Sequence, residues 1–455
     1  MKRTITILLA LLMIISLFGC ASSKPQTGSA ASEPENANNA QATQPENKEP
    51  VTISVWFATA TPDRIAMHEK YAAKFMEQNP DIKVEILGVP GDPNDFIQKC
   101  DMALAAGEAP DVGLQCTAHY IQQGALEPLD TYFENSILKD ELPESVVDSI
   151  RANDRENNHL YGIQAYAAVN LFWMRANWFK EAGLPIPETW GDFFTDVEKL
   201  TDKENGRYGL SIRGGSGSAQ NLEFLMFAYS GITDYFDENG KCNINDPLNV
   251  EFAEKYLGCY NVYTPEDDLT KGWTELAATF QSGKAAIVGH NLGSASGHAA
   301  AFNHDFSQYQ AVPFPKSVKG YSVHASLLVR NGLTINANSQ HKDEAWRYIV
   351  FYMTDPEYAS EICRMEGSVP MCKTVAASNI FEDEPYFQSS LEYINDPELR
   401  FFNTPNWLPD YDTVWAEVAQ PGIQEVMAGK RTAQDMLDEW AAAMEEAYAE
   451  YMNNK

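Results

Sequence analysis

Polar and apolar residues begin to alternate at Val51. Val51, Ile53, Val55 and Phe57 share one phase and Thr52, Ser54 and Trp56 the other, the two-residue period of a strand. Thr61-Pro62 then supplies a helix cap and a first-turn proline. Ile65, His68, Ala72, Phe75 and Met76 recur at the spacing of one helical face. Ile82, Val84 and Ile86 alternate as a second strand. Asp92-Pro93 opens a second helix with Phe96, Cys100, Ala103 and Leu104 inward, and Asp111 to Gln115 reads as a third short strand. Strand and helix in alternation predict a parallel sheet covered by helices on both faces, an α/β architecture.

The pattern is irregular from there to about Leu160. Gly162 to Met174 is a long apolar stretch, followed by a short helix from Trp178 that ends at Gly183. Thr189 caps a helix over 190–200. Asp237 to Lys241 is a turn marked by Asn239-Gly240. Asp246-Pro247 starts the helix that carries Phe252, Tyr256 and Leu257. Ala285 to Val288 is a short buried strand, and Ala325 to Ile335 is strand-like around Asn331-Gly332. A helix over 342–353 turns Ala345, Trp346, Ile349 and Met353 to one side. The chain closes on an amphipathic helix with Thr432 as cap, Asp435 near the capping-box position, and Leu437, Trp440, Ala441, Met444, Tyr448 and Tyr451 as its stripe. There is no internal repeat.

The N-terminus reads differently. Lys2 and Arg3 precede an uncharged apolar run from Ile5 to Phe18, too short for a membrane span and of the kind that directs export. It ends Leu17-Phe18-Gly19-Cys20, which resembles the bacterial lipoprotein box. The resemblance makes residues 1–20 a lipoprotein signal and Cys20 the lipid-anchored first residue of the mature chain. Phe18 departs from the smaller residue usual there. Residues 21–50 contain no Val, Ile, Leu or aromatic residue, so they cannot bury a core. They predict a disordered tether, roughly 30 Å in mean span. The protein is therefore expected on the outer face of the cytoplasmic membrane.

Composition narrows the partners. The 455 residues carry a net charge of −31, which repels nucleic acid phosphates and anionic lipid headgroups. Hydrophobic residues at 44% can fill the cores of two domains or one large two-lobed unit. Besides Cys20 there are Cys100, Cys116, Cys242, Cys259, Cys363 and Cys372. A chain of this size needs no staples, and free thiols are expected, although an exported protein could pair them. No Cys/His spacing suits a metal, and no cofactor is expected.

Four segments, in order, resemble the extracellular solute-binding proteins of ABC importers, the class of the maltose- and oligosaccharide-binding proteins. The first runs from Leu160-Tyr161-Gly162-Ile163-Gln164 through Phe172-Trp173-Met174-Arg175 and Phe179-Lys180-Glu181-Ala182-Gly183-Leu184 to Pro187-Glu188-Thr189-Trp190. The second is Phe280-Gln281-Ser282-Gly283-Lys284-Ala285-Ala286-Ile287. The third is Ile335-Asn336-Ala337-Asn338-Ser339 with Ala345-Trp346-Arg347-Tyr348-Ile349, and the fourth Met427-Ala428-Gly429-Lys430-Arg431-Thr432. Gln164 and Met174-Arg175 depart from the family's proline and Tyr-Asn. The resemblance implies a two-lobed periplasmic-binding-protein-like fold of type II, with hinge crossings and the ligand between lobes. Residues 51–167 with 329–366 would form the N-terminal lobe, and 168–328 with 367–455 the C-terminal lobe. It further implies a monomer that takes a sugar or oligosaccharide, leaves it unaltered and delivers it to membrane permease subunits.

In such a fold the ligand sits beyond the carboxyl ends of the strands. A sugar offers C–H faces and hydroxyls, so aromatic platforms and fixed polar groups are sought there. The candidates are Trp56, Gln115, Tyr166, His290, Asn291, Arg330, Asn331 and Trp407. Each also has a structural reading, such as packing for Trp56 and Trp407 and a hinge ion pair for Arg330. Two other functions stay open. A surface carbohydrate-active enzyme would need a carboxylate pair across the site, and no GxSxG, HExxH, GxGxxG or phosphate-loop motif marks an active site. A ligand sensor of the same fold would serve no transport.

Overall fold

The structure is a computed structural model that describes residues 49–91, 93–152, 154–325 and 332–453. The expected signal, Cys20, nearly all of the tether, Arg330 and Asn331 lie outside the described residues.

β1 (Val51–Phe57) and β2 (Ile82–Gly88) run parallel, with Val51 opposite Ile82 and Phe57 opposite Gly88. Parallel neighbours need a crossover, here the helix Pro62–Gln78. The Thr61 hydroxyl accepts the Arg64 N–H and Pro62 stands in the first turn, as the sequence predicts. The expected third strand at 111–115 is only a bridge, Val112 lying between Val55 and Ile335. Two features limit the ladder. Gly113 has φ 111° and lies so close to the Trp56 carbonyl oxygen that a Cβ would come within 2.1 Å of it. The Asp111 carboxylate accepts the Ser54 N–H and hydroxyl and the Ser339 hydroxyl, so side chains stitch this edge.

The apolar run 162–174 divides into β3 (Tyr166–Ala167) and β4 (Asn170–Met174). β4 belongs to a four-stranded sheet with β5 (Tyr208–Ser211), β6 (Ala285–Asn291) and β7 (Gln310–Val312), in the order β5-β6-β4-β7. β5 is parallel to β6, and β4 is antiparallel to both of its neighbours. β8 (Val323–Ala325) pairs in parallel with β10 (Arg400–Phe402). β3 pairs antiparallel with β9 (Val369–Pro370), the point where two passages of the chain meet.

Alternation along β4 distributes its side chains between two hydrophobic cores. Leu171 and Trp173 join the core that begins at β1 and β2, whereas Phe172 and Met174 join a second core. The first core therefore runs from the first sheet along one face of the second, through Phe280 and Val288. The second is aromatic: Phe172 stacks on Phe193 at 4.7 Å, and Trp190 meets Phe252 edge-on at 5.1 Å. The helix Trp190–Lys199 starts from a Thr189/Asp192 capping box, and the helix Ala433–Asn453 lays Trp440 into the same core. All six described cysteines are buried free thiols.

Glu223 is fully buried in this second core. The Tyr411 hydroxyl and the Trp415 indole N–H donate to it at 2.5 and 3.0 Å. Burial outweighs these hydrogen bonds and pushes the carboxyl up to about 8. Between the unfolded carboxyl value near 4.5 and about 8, the folded chain keeps a proton that the unfolded chain has lost. Stability should fall with rising pH across that window, by up to about 1.4 kcal/mol per unit. Urea unfolding at pH 5 and 8 should show this slope in the native sequence and a flatter one in Glu223→Gln. Equal slopes would contradict the assignment.

Candidate functional site

A cavity of about 140 Å³ opens at the carboxyl end of β1, where an α/β sheet places its ligands. Its walls come from several parts of the chain. β1 contributes Trp56 and the residues after it. Among them Thr59 has φ 51°, a left-handed backbone that a β-branched residue adopts only under strain. Gln115 enters from the bridged segment and Tyr166 from β3. The first turns of the helix Pro62–Gln78 bring Arg64 and His68, and the helix Pro356–Glu366 brings its last residue, Glu366.

Arg64 and Glu366 form an ion pair, each side chain 21% exposed. Burial pushes the Glu366 carboxyl up, and the adjoining guanidinium holds it back. The Arg64 Nε is buried without a hydrogen-bond partner. One turn on, His68 Nδ1 lies 2.7 Å from the Tyr358 hydroxyl. Burial, and then Arg64, lowers the His68 pKa to about 3, so the ring is neutral. Gln115 is 5% exposed and its Oε1 has no partner. Gln164 Nε2 donates to the Tyr166 carbonyl at 2.7 Å and steadies the β3 wall. The cavity thus holds aromatic faces, one orphaned donor, one orphaned acceptor and charges that cancel. Lys99 lies outside it, 5.2 Å from the Trp56 ring.

The fold brings Trp56, Gln115 and Tyr166 together in these walls. His290 and Asn291 lie elsewhere, at the end of β6. His290 is buried, with Nδ1 3.1 Å from the Ser294 hydroxyl and Nε2 3.2 Å from the Trp273 carbonyl. Burial takes its pKa down to about 4. The Asn291 side chain accepts the Gly293 N–H at 3.0 Å, a local cap. Trp407 packs on the C-terminal helix, 5.1 Å from Tyr451, with the Arg155 guanidinium 4.4 Å from its ring.

Arg64, His68 and Glu366 escaped the reading of the sequence. Arg64 carried one clue, its place three residues after the Thr61 cap, in a first turn that must face the end of β1. Glu366 carried only the Gly367 that stops its helix. Among the described residues no cluster suits a metal ion, and no helix is long and apolar enough to cross a membrane.

Comparison with known proteins decides the family. Residues 63–359 match the bacterial extracellular solute-binding proteins. The chain belongs to this family. The solute-binding protein is 25% identical over 365 residues to the mannitol-binding protein of Pseudomonas aeruginosa, covering 75% of this chain and 80% of that one. It is 22% identical over 385 residues to the maltotriose-binding protein of Pyrococcus abyssi, covering 84% and 78%. Its fold matches the sugar-binding protein MalE of Xanthomonas citri with a TM-score of 0.72 at 19% identity, over 88% of this chain and 98% of the other. The two-lobed α/β architecture with hinge crossings is that of these solved structures. The family works outside the cytoplasmic membrane and is one of binding proteins.

Proposed function

We propose that this solute-binding protein captures an uncharged sugar or polyol between its lobes and hands it unchanged to the permease of an ABC importer. The observation that carries the reading is the charge and polarity of the cavity. Arg64 and Glu366 cancel, and His68 is neutral. A phosphate ester or sugar acid would meet no free cation among the described lining residues. A neutral polyhydroxyl compound can lay C–H faces on Trp56 and Tyr166, with the polar side chains of Gln115 and Arg64 beside it in the same walls. The mannitol- and maltotriose-binding relatives support this class of ligand. Residues 51–167 with 329–366 and 168–328 with 367–455 are the proposed lobes, and the protein works as a monomer. Binding favours the closed form, because only that form contacts the ligand from both sides.

Calorimetry on the purified protein tests this reading with D-mannitol, maltotriose, their phosphate esters, amino acids and polyamines. A neutral sugar or polyol should release heat and be recovered intact. Binding confined to charged compounds, or cleavage of the sugar, would contradict it.

The anchor is part of the same proposal. Cys20 carries the lipid, and the tether lets the body reorient above the membrane. Cys20→Ser should appear in the medium or remain unprocessed, as read by cell fractionation. Unchanged membrane retention of the mutant would refute the anchor.

A further inference from the structure

The chain leaves β5 through Ile212-Arg213-Gly214-Gly215-Ser216-Gly217 and enters the helix Ser218–Ser230. The turn at 266–271 fixes this loop from one side. The buried Asp268 carboxylate accepts the Ser211 hydroxyl and the Ile212 N–H at 2.8 and 2.6 Å, and the Lys271 ammonium pairs with it at 2.7 Å. The Gly214 and Gly215 N–H groups donate to the Asp268 and Lys271 carbonyls. A Cβ on Gly214 would come within 2.6 Å of a backbone oxygen of that turn, and one on Gly215 within 2.3 Å, so only bare backbone lies this close.

The start of the helix is short of acceptors. Gly217 stands at the cap with φ 79° and no side chain to offer, and the first turn has no acidic residue. The Gly217 N–H finds the Gln420 side chain at 3.3 Å, and the Ser218 N–H finds the Gly215 carbonyl. Those of Ala219 and Gln220 have no acceptor among the described residues. Ser218 is 1% exposed, and its hydroxyl also has no partner. Side chains lean toward the start of their helix, so this hydroxyl faces the same end.

A cation stands there. A Cβ on Gly217 would lie 2.2 Å from Arg213 Nη2 and 2.8 Å from Nη1, so the guanidinium rests on the bare Gly217 backbone. Its Nε donates to the Ser216 carbonyl at 2.6 Å. Glu275 acts on it only through space, because that carboxylate accepts the Gly272 N–H. A net charge of −31 repels anions at long range, so any attraction here must be local. A guanidinium beside an uncapped helix start supplies it.

We infer that Arg213, Ser218 and the first N–H groups of the helix Ser218–Ser230 form a site for a small oxyanion, phosphate or sulfate. The Arg213 Nη groups and the Ala219 and Gln220 N–H groups donate to the ion. A swing of the long Arg213 side chain off Gly217 opens the Ser218 hydroxyl to it. None of these residues lines the cavity at β1, and the site stands without the sugar-binding reading.

Calorimetry of the full protein with inorganic phosphate and with sulfate, in a chloride buffer of matched ionic strength, tests it. Both ions should give saturable heat. Arg213→Gln should weaken binding about tenfold, and Ser218→Ala about threefold. Phosphate should raise the thermal midpoint of the native protein and leave that of Arg213→Gln unmoved. Absence of saturable heat with the native protein overturns the site. So does unchanged affinity in a folded Arg213→Gln or, should that variant not fold, in Ser218→Ala. Either result is independent of whether D-mannitol or maltotriose binds.

Discussion

Two distant passages of the chain meet in the short pairing of β3 with β9. Tyr166 faces Pro370 and Ala167 faces Val369, two register pairs in all. Pro370 has no N–H to give, which weakens the ladder further. The Met371 N–H adds one bond to the Ala165 carbonyl at 3.0 Å. So short a connection suits a hinge. Because Tyr166 stands both in this pairing and in the cavity wall, a displacement at the pairing moves the cavity.

The packing around that hinge is unequal. β4 feeds one core with Leu171 and Trp173 and another with Phe172 and Met174, so a single strand ties the crossing to both. The second core is dense in rings and encloses Glu223, and it has little freedom to deform. The cavity is looser in a specific way. Arg64 is held by Glu366 while its Nε lacks a partner, and the Gln115 Oε1 also lacks one. Leaving such atoms buried and unpaired costs about 1–3 kcal/mol each.

Local chemistry was legible in the sequence. Thr61, Thr189, Asp246 and Thr432 all accept the backbone N–H bonds expected of caps. The strand period of 51–57 placed Trp56 on the polar phase, at the end where the cavity lies. What the sequence left out is long-range. Arg64 and Glu366 are separated by most of the chain, and neither shows a local sign of pairing. The segment 111–115 reads as a strand, but its backbone bends at Gly113 and Asp111 spends its carboxylate on Ser54 and Ser339. Trp407 looks unexplained in its loop because the helix that covers it comes later in the sequence. His290 looks free at a strand end, yet Ser294 and Trp273 occupy both of its nitrogens.

Closure of the proposed lobes on a neutral guest makes the particle more compact. Small-angle X-ray scattering of the protein with and without a saturating bound sugar tests it most directly. A smaller radius of gyration with ligand and an unchanged molecular mass are expected. Superimposable curves at proven saturation would contradict it.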